Sequence, residues 1–110
     1  MNKFLFQAPV IIVIVLEKVD ALSFISSLFK GKDYAVMDIG IAAENICLQA
    51  TELGLGSCIV GWFNEKKVKE LLHIPRSRKV PLMIGLGYAD GEKRDKKRKS
   101  IEEICSYNKY

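Results

Sequence analysis

The segment Asp38–Trp62 constrains the fold more than any other part of the chain, because it joins an apolar helical pattern, a glycine-rich stop and a short strand. Asp38 is expected to cap the helix, and Gly54 suits the left-handed backbone that ends one. The other faces of the helix are nearly as apolar as the first, which predicts an interior helix. The first face repeats at spacings of four and three residues: Ile39, Ala43, Ile46, Ala50 and Leu53.

Two apolar segments rich in β-branched residues predict a central sheet against which this helix packs. The first is Ala8–Val15, in which Pro9 fits the opening position, where an amide is not needed. The second is Val80–Tyr88, whose Gly85 and Gly87 lie on one strand face and would let a helix pack closely. Buried strands combined with an apolar helix predict an α+β domain.

Shorter patterns predict the remaining elements. Asn64 is expected to cap a helix that faces inward with Val68, Leu71 and Leu72. Asp20 is expected to cap a short helix earlier in the chain. The remaining predicted elements are a strand over Ser57–Val60, a turn over Gly61–Phe63, a helix from Asn64 to Leu72, and short helices over Ala21–Phe29 and Ile101–Cys105. The last helix is preceded by a Ser100–Glu103 capping box.

The composition is that of one globular domain, with 110 residues of which 49% are apolar and 27% are charged. The net charge of +4 comes from the basic tract Lys93–Lys99. A solvated tail and a nucleic-acid contact both fit this tract, but it lacks the interleaved aromatic residues of many nucleic-acid surfaces. Three widely spaced cysteines predict reduced thiols in a cytoplasmic protein, and the single His73 predicts no metal site.

The apolar run Val10–Leu16 near the N-terminus has some features of a signal sequence. Pro9 precedes the run, and Glu17 and Lys18 follow it in place of a small-residue cleavage site. The run is therefore predicted to be a buried strand. Neither a membrane nor a nucleic acid is expected as a partner.

From Asp38 to Cys58 the chain carries the ungapped pattern D-x-G-x-A-x-E-N-x-x-L-x-A-x-x-x-G-L-G-S-C. This run resembles the central helix and following loop of the nitroreductase family, the FMN-dependent NAD(P)H oxidoreductases. The resemblance extends from about Phe6 to Ile104. It implies a nitroreductase-like α/β sandwich of the α+β class, with a central, mainly antiparallel sheet, in a single domain over residues 1–110.

The resemblance also implies an FMN site on two segments. Arg98 matches a family arginine that binds the FMN phosphate through a charge-assisted fork, and Lys96 would add positive charge. A solvated basic tract remains the alternative for both. Gly61 stands where some relatives have an acidic residue, so no catalytic side chain is assigned. The segment whose backbone amides contact the flavin ring matches Ile59, Val60, Gly61 and Trp62, which taken alone would be a strand end followed by a turn.

The implied function is electron transfer from NAD(P)H through FMN to a nitro compound, a quinone or a similar small acceptor, carried out by a homodimer. Family members begin with an arginine-serine motif that grips the phosphate, and this chain has no R-S-x-R in the matching place. We therefore expect an N-terminally truncated chain. The alternative hypothesis is a non-catalytic remnant that dimerises or binds flavin weakly.

Overall fold

A computed structural model describes residues 3–17, 25, 29, 33–91 and 95–109. The predicted helix over Ala21–Phe29 lies outside these residues, except that Ile25 and Phe29 are helical and exposed. The elements in chain order are a 3-10 helix over Lys3–Gln7, strand β1 over Val10–Leu16, helix α1 over Tyr34–Glu52, strand β2 over Gly56–Val60, helix α2 over Glu65–Leu71, strand β3 over Lys79–Gly87 and the short helix α3 over Ile101–Ile104.

The last strand lies in the middle of the sheet. Its order is β1-β3-β2, and β3 pairs antiparallel with both neighbours. Ile84 of β3 lies between Ile12 and Ile59 and is completely buried. The α+β class and the antiparallel pairing of the two apolar segments are therefore confirmed.

Helix α1 begins earlier than the sequence predicts. Asp33 is its N-cap, and the Asp33 carboxylate accepts a hydrogen bond from the Val36 amide at 3.3 Å. The prediction that Asp38 caps the helix is wrong, because Asp38 lies within the second turn and is exposed. The predicted end is confirmed, since Gly54 has a φ of 72° and the Leu55 amide donates to the Ala50 carbonyl at 2.8 Å.

Only one face of α1 is buried by the chain itself, so the prediction of an interior helix is wrong for a single chain. The buried residues Ile39, Ala43 and Ala50 belong to the predicted face. Leu53 does not, because it is the C-cap residue and is 65% exposed. The sheet covers one side of the helix and leaves an apolar row on the opposite side, which we call the α1 stripe: Tyr34, Met37, Ile41 and Leu48.

Helix α2 does not bury all the residues that the sequence predicts to face inward. Leu71 is 78% exposed and Leu72 is also exposed, so neither packs inward, while Val68 is half-buried. The helix has only seven residues and begins directly at the end of a tight connection from β2. Its leucines therefore do not help to hold the helix against the sheet.

The glycine face of β3 is covered by the segment before β1. Leu5 of the 3-10 helix lies over Gly85, and Pro9 lies over Gly87. The predicted close approach at these glycines is confirmed, although the covering element is a single 3-10 turn and a proline.

None of the helices in the described ranges combines the length and apolar character that a membrane crossing requires.

Candidate functional site

The connection between β2 and α2 is a tight bend over Gly61–Asn64. Val60, just before it, is buried and pairs with Met83 of β3. Trp62 is 90% exposed, and a Cβ placed on Gly61 would meet no atom within 4 Å. The backbone at Gly61 is therefore open to a flat ligand, while the strand that leads into it is fixed in the sheet.

The far end of the bend is fixed by Asn64, the N-cap of α2. Its side-chain oxygen accepts a hydrogen bond from the Lys67 amide at 3.1 Å, as the sequence predicts. Three lysines follow on this helix, and one of them, Lys69, forms an ion pair with Glu65. Lys66 and Lys67 remain exposed, so the surface after the bend carries positive charge.

Glu65 joins the start of α2 to β3. The Val80 amide donates a hydrogen bond to Oε1 of Glu65 at 2.9 Å, and the Val80 side chain is buried. The pKa of the Glu65 carboxyl is lowered from its ordinary value of 4.5, first by the hydrogen bond from Lys69 and then by the Val80 amide. The site therefore contains a carboxylate that is held charged by its neighbours.

Lys96 and Arg98 lie in the exposed segment 95–100, which has no regular secondary structure. The two ion pairs found within the described ranges, Lys69–Glu65 and Arg78–Glu17, involve neither of them. The helix that follows begins with the predicted capping box, in which the Ser100 amide donates to Oε2 of Glu103 at 2.9 Å. The structure thus places Ile59–Trp62 at the end of β2 and the start of the bend, and both cations on another, exposed segment.

These residues fit the chemical requirements of FMN. The planar ring needs accessible backbone next to apolar surface, which Gly61 provides between the exposed side chains of Ile59 and Trp62. The phosphate needs a cation not already neutralised by a carboxylate, and Arg98 meets that condition within the described part of the chain. The fit rests on the kinds of groups present and not on the distance between them, because the bend and Arg98 belong to separate segments.

Two open grooves lie on the described surface, and neither includes a residue of Ile59–Trp62. One, of about 620 Å³, runs along α2 from Glu65 to Arg76. The other, of about 510 Å³, lies beside the 3-10 helix, with Cys58 and Tyr88 in its wall. The residues described include no cluster of side chains that would hold a metal ion.

Sequence reasoning missed two side chains near the site. Glu65 follows the Asn64 cap, where a negative charge suits the helix dipole. This position does not predict its contact with the Val80 amide. Arg78 lies in the connection between α2 and β3, yet it is half-buried and its Nη2 contacts Oε2 of Glu17 at 2.7 Å. Both contacts join residues far apart in sequence, so no local pattern reveals them.

Comparisons with known proteins agree on one family. A model of the nitroreductase family matches residues 1–88. The oxygen-insensitive NADPH nitroreductase of Helicobacter pylori (strain J99) is 36% identical over 85 residues, which are 76% of this chain and 40% of that protein. The chain thus spans less than half the length of this curated relative.

Solved structures show the same fold. An FMN-dependent nitroreductase from Clostridium difficile R20291 superposes with a TM-score of 0.70 at 31% identity, covering 94% of this chain and 59% of that one. A nitroreductase family protein from Streptococcus pneumoniae TIGR4 gives a TM-score of 0.64 at 33% identity, covering 69% of this chain and 38% of the other.

Proposed function

Because the chain belongs to the nitroreductase family, we propose that it binds FMN and passes electrons from NAD(P)H to a nitro compound, a quinone or a similar small acceptor. The observation that carries this proposal is the open bend after β2, where the backbone at Gly61 is accessible beside exposed apolar side chains. The name of the Helicobacter relative supports a nicotinamide donor, and that of the Clostridium structure supports FMN.

In this proposal the chain binds and orients the cofactor, and FMN supplies the redox chemistry when it is bound. The backbone from Ile59 to Trp62 contacts the ring, and the two exposed side chains at its ends keep water from it. Arg98 binds the phosphate through its planar guanidinium, with Lys96 adding charge. No side chain of the bend is assigned a proton-transfer role.

We also propose that the working form is a homodimer. The α1 stripe leaves four large apolar side chains in solvent, and burying such surface stabilises an assembly by roughly 25 cal/mol per Å². Two copies related by a twofold axis would place this stripe against itself. The three cysteines are all free, which supports a reducing, cytoplasmic location.

The alternative is a non-catalytic relative that dimerises or binds flavin weakly. The observation in its favour is that neither of the two grooves described above contains a residue of the bend. The two proposals differ in whether bound flavin is reduced by a nicotinamide and reoxidised by an acceptor.

The test is a titration of the purified chain with FMN, followed by fluorescence quenching, and an assay of NADPH and NADH oxidation with a nitro compound as acceptor. Riboflavin, which lacks the phosphate, is the matched ligand. Tight FMN binding, weaker riboflavin binding and nicotinamide oxidation support the enzyme. Flavin binding without oxidation would favour the non-catalytic alternative, and absence of flavin binding would contradict the proposed site.

A further inference from the structure

We propose that Glu65 is a positioning residue for the flavin-binding bend, which it holds by fixing the start of α2 to β3; this inference rests on the proposed function. In this proposal Glu65 does not touch the flavin. It acts through the bend Gly61–Asn64, whose two ends are both attached to the same strand.

The first attachment is the end of β2. Val60 pairs with Met83, and the ladder between β2 and β3 stops at this pair. The second attachment is the hydrogen bond from the Val80 amide to the Glu65 carboxylate. These points are three residues apart on β3, or roughly 10 Å at the rise of an extended strand. The bend is therefore a short loop closed on a rigid base.

Val80 needs this acceptor. It is buried, and it has no partner in the register of β3 with either β1 or β2. A buried amide without an acceptor is costly, so the Glu65 carboxylate takes the place of the strand neighbour that β2 does not provide. The sheet and the bend are thus coupled through one side chain.

Among the apolar side chains at helix α2, Val68 alone is half-buried. Leu71 and Leu72 are exposed, so the helix is not anchored by packed leucines. The Glu65 side chain is 43% exposed, and its carboxylate also forms an ion pair with Lys69. Loss of the acceptor would release α2 and with it the far end of the bend. A released bend binds a rigid ring less tightly, because binding must then order it.

The experiment compares four variants in the full chain. Glu65→Ala removes the acceptor, and Glu65→Gln keeps an amide oxygen that can accept from Val80 but loses the charge. Lys69→Met removes the ion pair and leaves the carboxylate. Glu70→Gln changes a carboxylate of the same helix that has no part in the contact. FMN affinity is measured by fluorescence quenching, and stability by urea unfolding.

Glu65→Ala should weaken FMN binding by about three- to tenfold, which is the effect of one hydrogen bond. Glu65→Gln should recover most of that loss, and Lys69→Met and Glu70→Gln should bind nearly as the unmodified chain. A purely structural role would instead lower stability in Glu65→Ala without changing the affinity of the folded fraction. Equal affinity in Glu65→Ala and Glu70→Gln would overturn the inference.

A second readout does not depend on flavin. Trp62 is the single tryptophan and lies within the bend, so its fluorescence anisotropy reports the order of the bend directly. Glu65→Ala should lower this anisotropy, and Glu65→Gln should restore it. Failure of the unmodified chain to bind FMN would reject the proposed function, while an unchanged anisotropy in Glu65→Ala would reject the positioning role.

Discussion

Pro9 packs so closely against Gly87 that a Cβ on the glycine would lie 2.8 Å from Cδ of the proline ring. At Gly85 the same short distance separates a Cβ from Cδ1 of Leu5. The proline ring is rigid and directly precedes β1, whereas the tip of a leucine side chain can rotate away. The two glycines therefore tolerate a methyl group differently, although both lie on one strand.

We expect Gly87→Ala to destabilise the fold by about 1–3 kcal/mol, as overpacking does, and Gly85→Ala to cost less. The measurement is the free energy of unfolding in urea. Gly61→Ala is the matched control, because a Cβ there meets no atom within 4 Å. A larger loss from Gly85→Ala than from Gly87→Ala would contradict this account of the packing.

His73 occupies a backbone position that favours glycine. Its φ is 55°, and the following amide of Ile74 donates to the Lys69 carbonyl at 2.9 Å, which closes the end of α2. We expect His73→Gly to raise stability by about 0.5–1 kcal/mol and His73→Val to lower it. Asn108→Gly is the control, since Asn108 has a φ of 64° but lies in the exposed C-terminal segment. Similar gains in stability from both glycine substitutions would show that the end of α2 is not the cause of the gain.

Stability should fall in acid partly through Glu65. The folded-state pKa of this carboxyl is lowered from 4.5 by Lys69 and by the Val80 amide. Its charged form therefore stabilises the fold fully above about pH 4.5, and the contribution is lost as the pH falls through the lower folded-state value. Urea midpoints of the unmodified chain and of Glu65→Gln should differ near neutral pH and converge below pH ~4.5. A constant difference across this range would exclude the carboxylate as the cause.

Arg98→Ala should weaken FMN binding by roughly ten- to a hundredfold, because it removes a charge-assisted bond to the phosphate. Lys97→Ala, which removes a neighbouring exposed cation, should have a much smaller effect. Riboflavin binding should be the same in both variants, since riboflavin has no phosphate. Equal losses of FMN affinity would indicate diffuse attraction by the basic tract.

The α1 stripe should be needed for dimerisation. Ile41→Glu and Leu48→Glu place a charge on exposed apolar positions, so the single chain should still fold while the dimer dissociates. Gln49→Glu adds the same charge outside the stripe and should leave the dimer intact. Light scattering at micromolar concentration gives the particle mass. An unmodified chain that is already monomeric would reject the proposed dimer.

The sequence predicts the sheet and the buried face of α1 well, because the regularly spaced apolar residues are the ones that form the buried surfaces. It places the start of α1 at the wrong aspartate, because the intervening residues Tyr34–Met37 suit a helix as well as a loop. Exposure of Leu71 and Leu72 is equally hard to predict, since it depends on where the sheet edge lies.

Only part of the candidate site can be predicted from the sequence. The bend after β2 follows from the strand, the glycine and the Asn64 cap, all of which are local. The contact between Glu65 and Val80 spans 15 residues and arises because β2 stops at Val60, a property of the assembled sheet. The pairing of Arg98 with the bend stays a prediction, because their two segments meet in no contact that the structure describes.

The central place of β3 sets the order in which the molecule can fold. In the described part of the chain, β1 and β2 do not pair with each other, and each pairs with β3. The pair Val10–Leu86 joins residues 76 positions apart, so closing the sheet carries a large loop entropy. During synthesis on the ribosome, neither earlier strand can pair with β3 until Lys79–Gly87 has emerged. A chaperone that shields nascent β1 should therefore raise the yield of folded protein more than one acting after release.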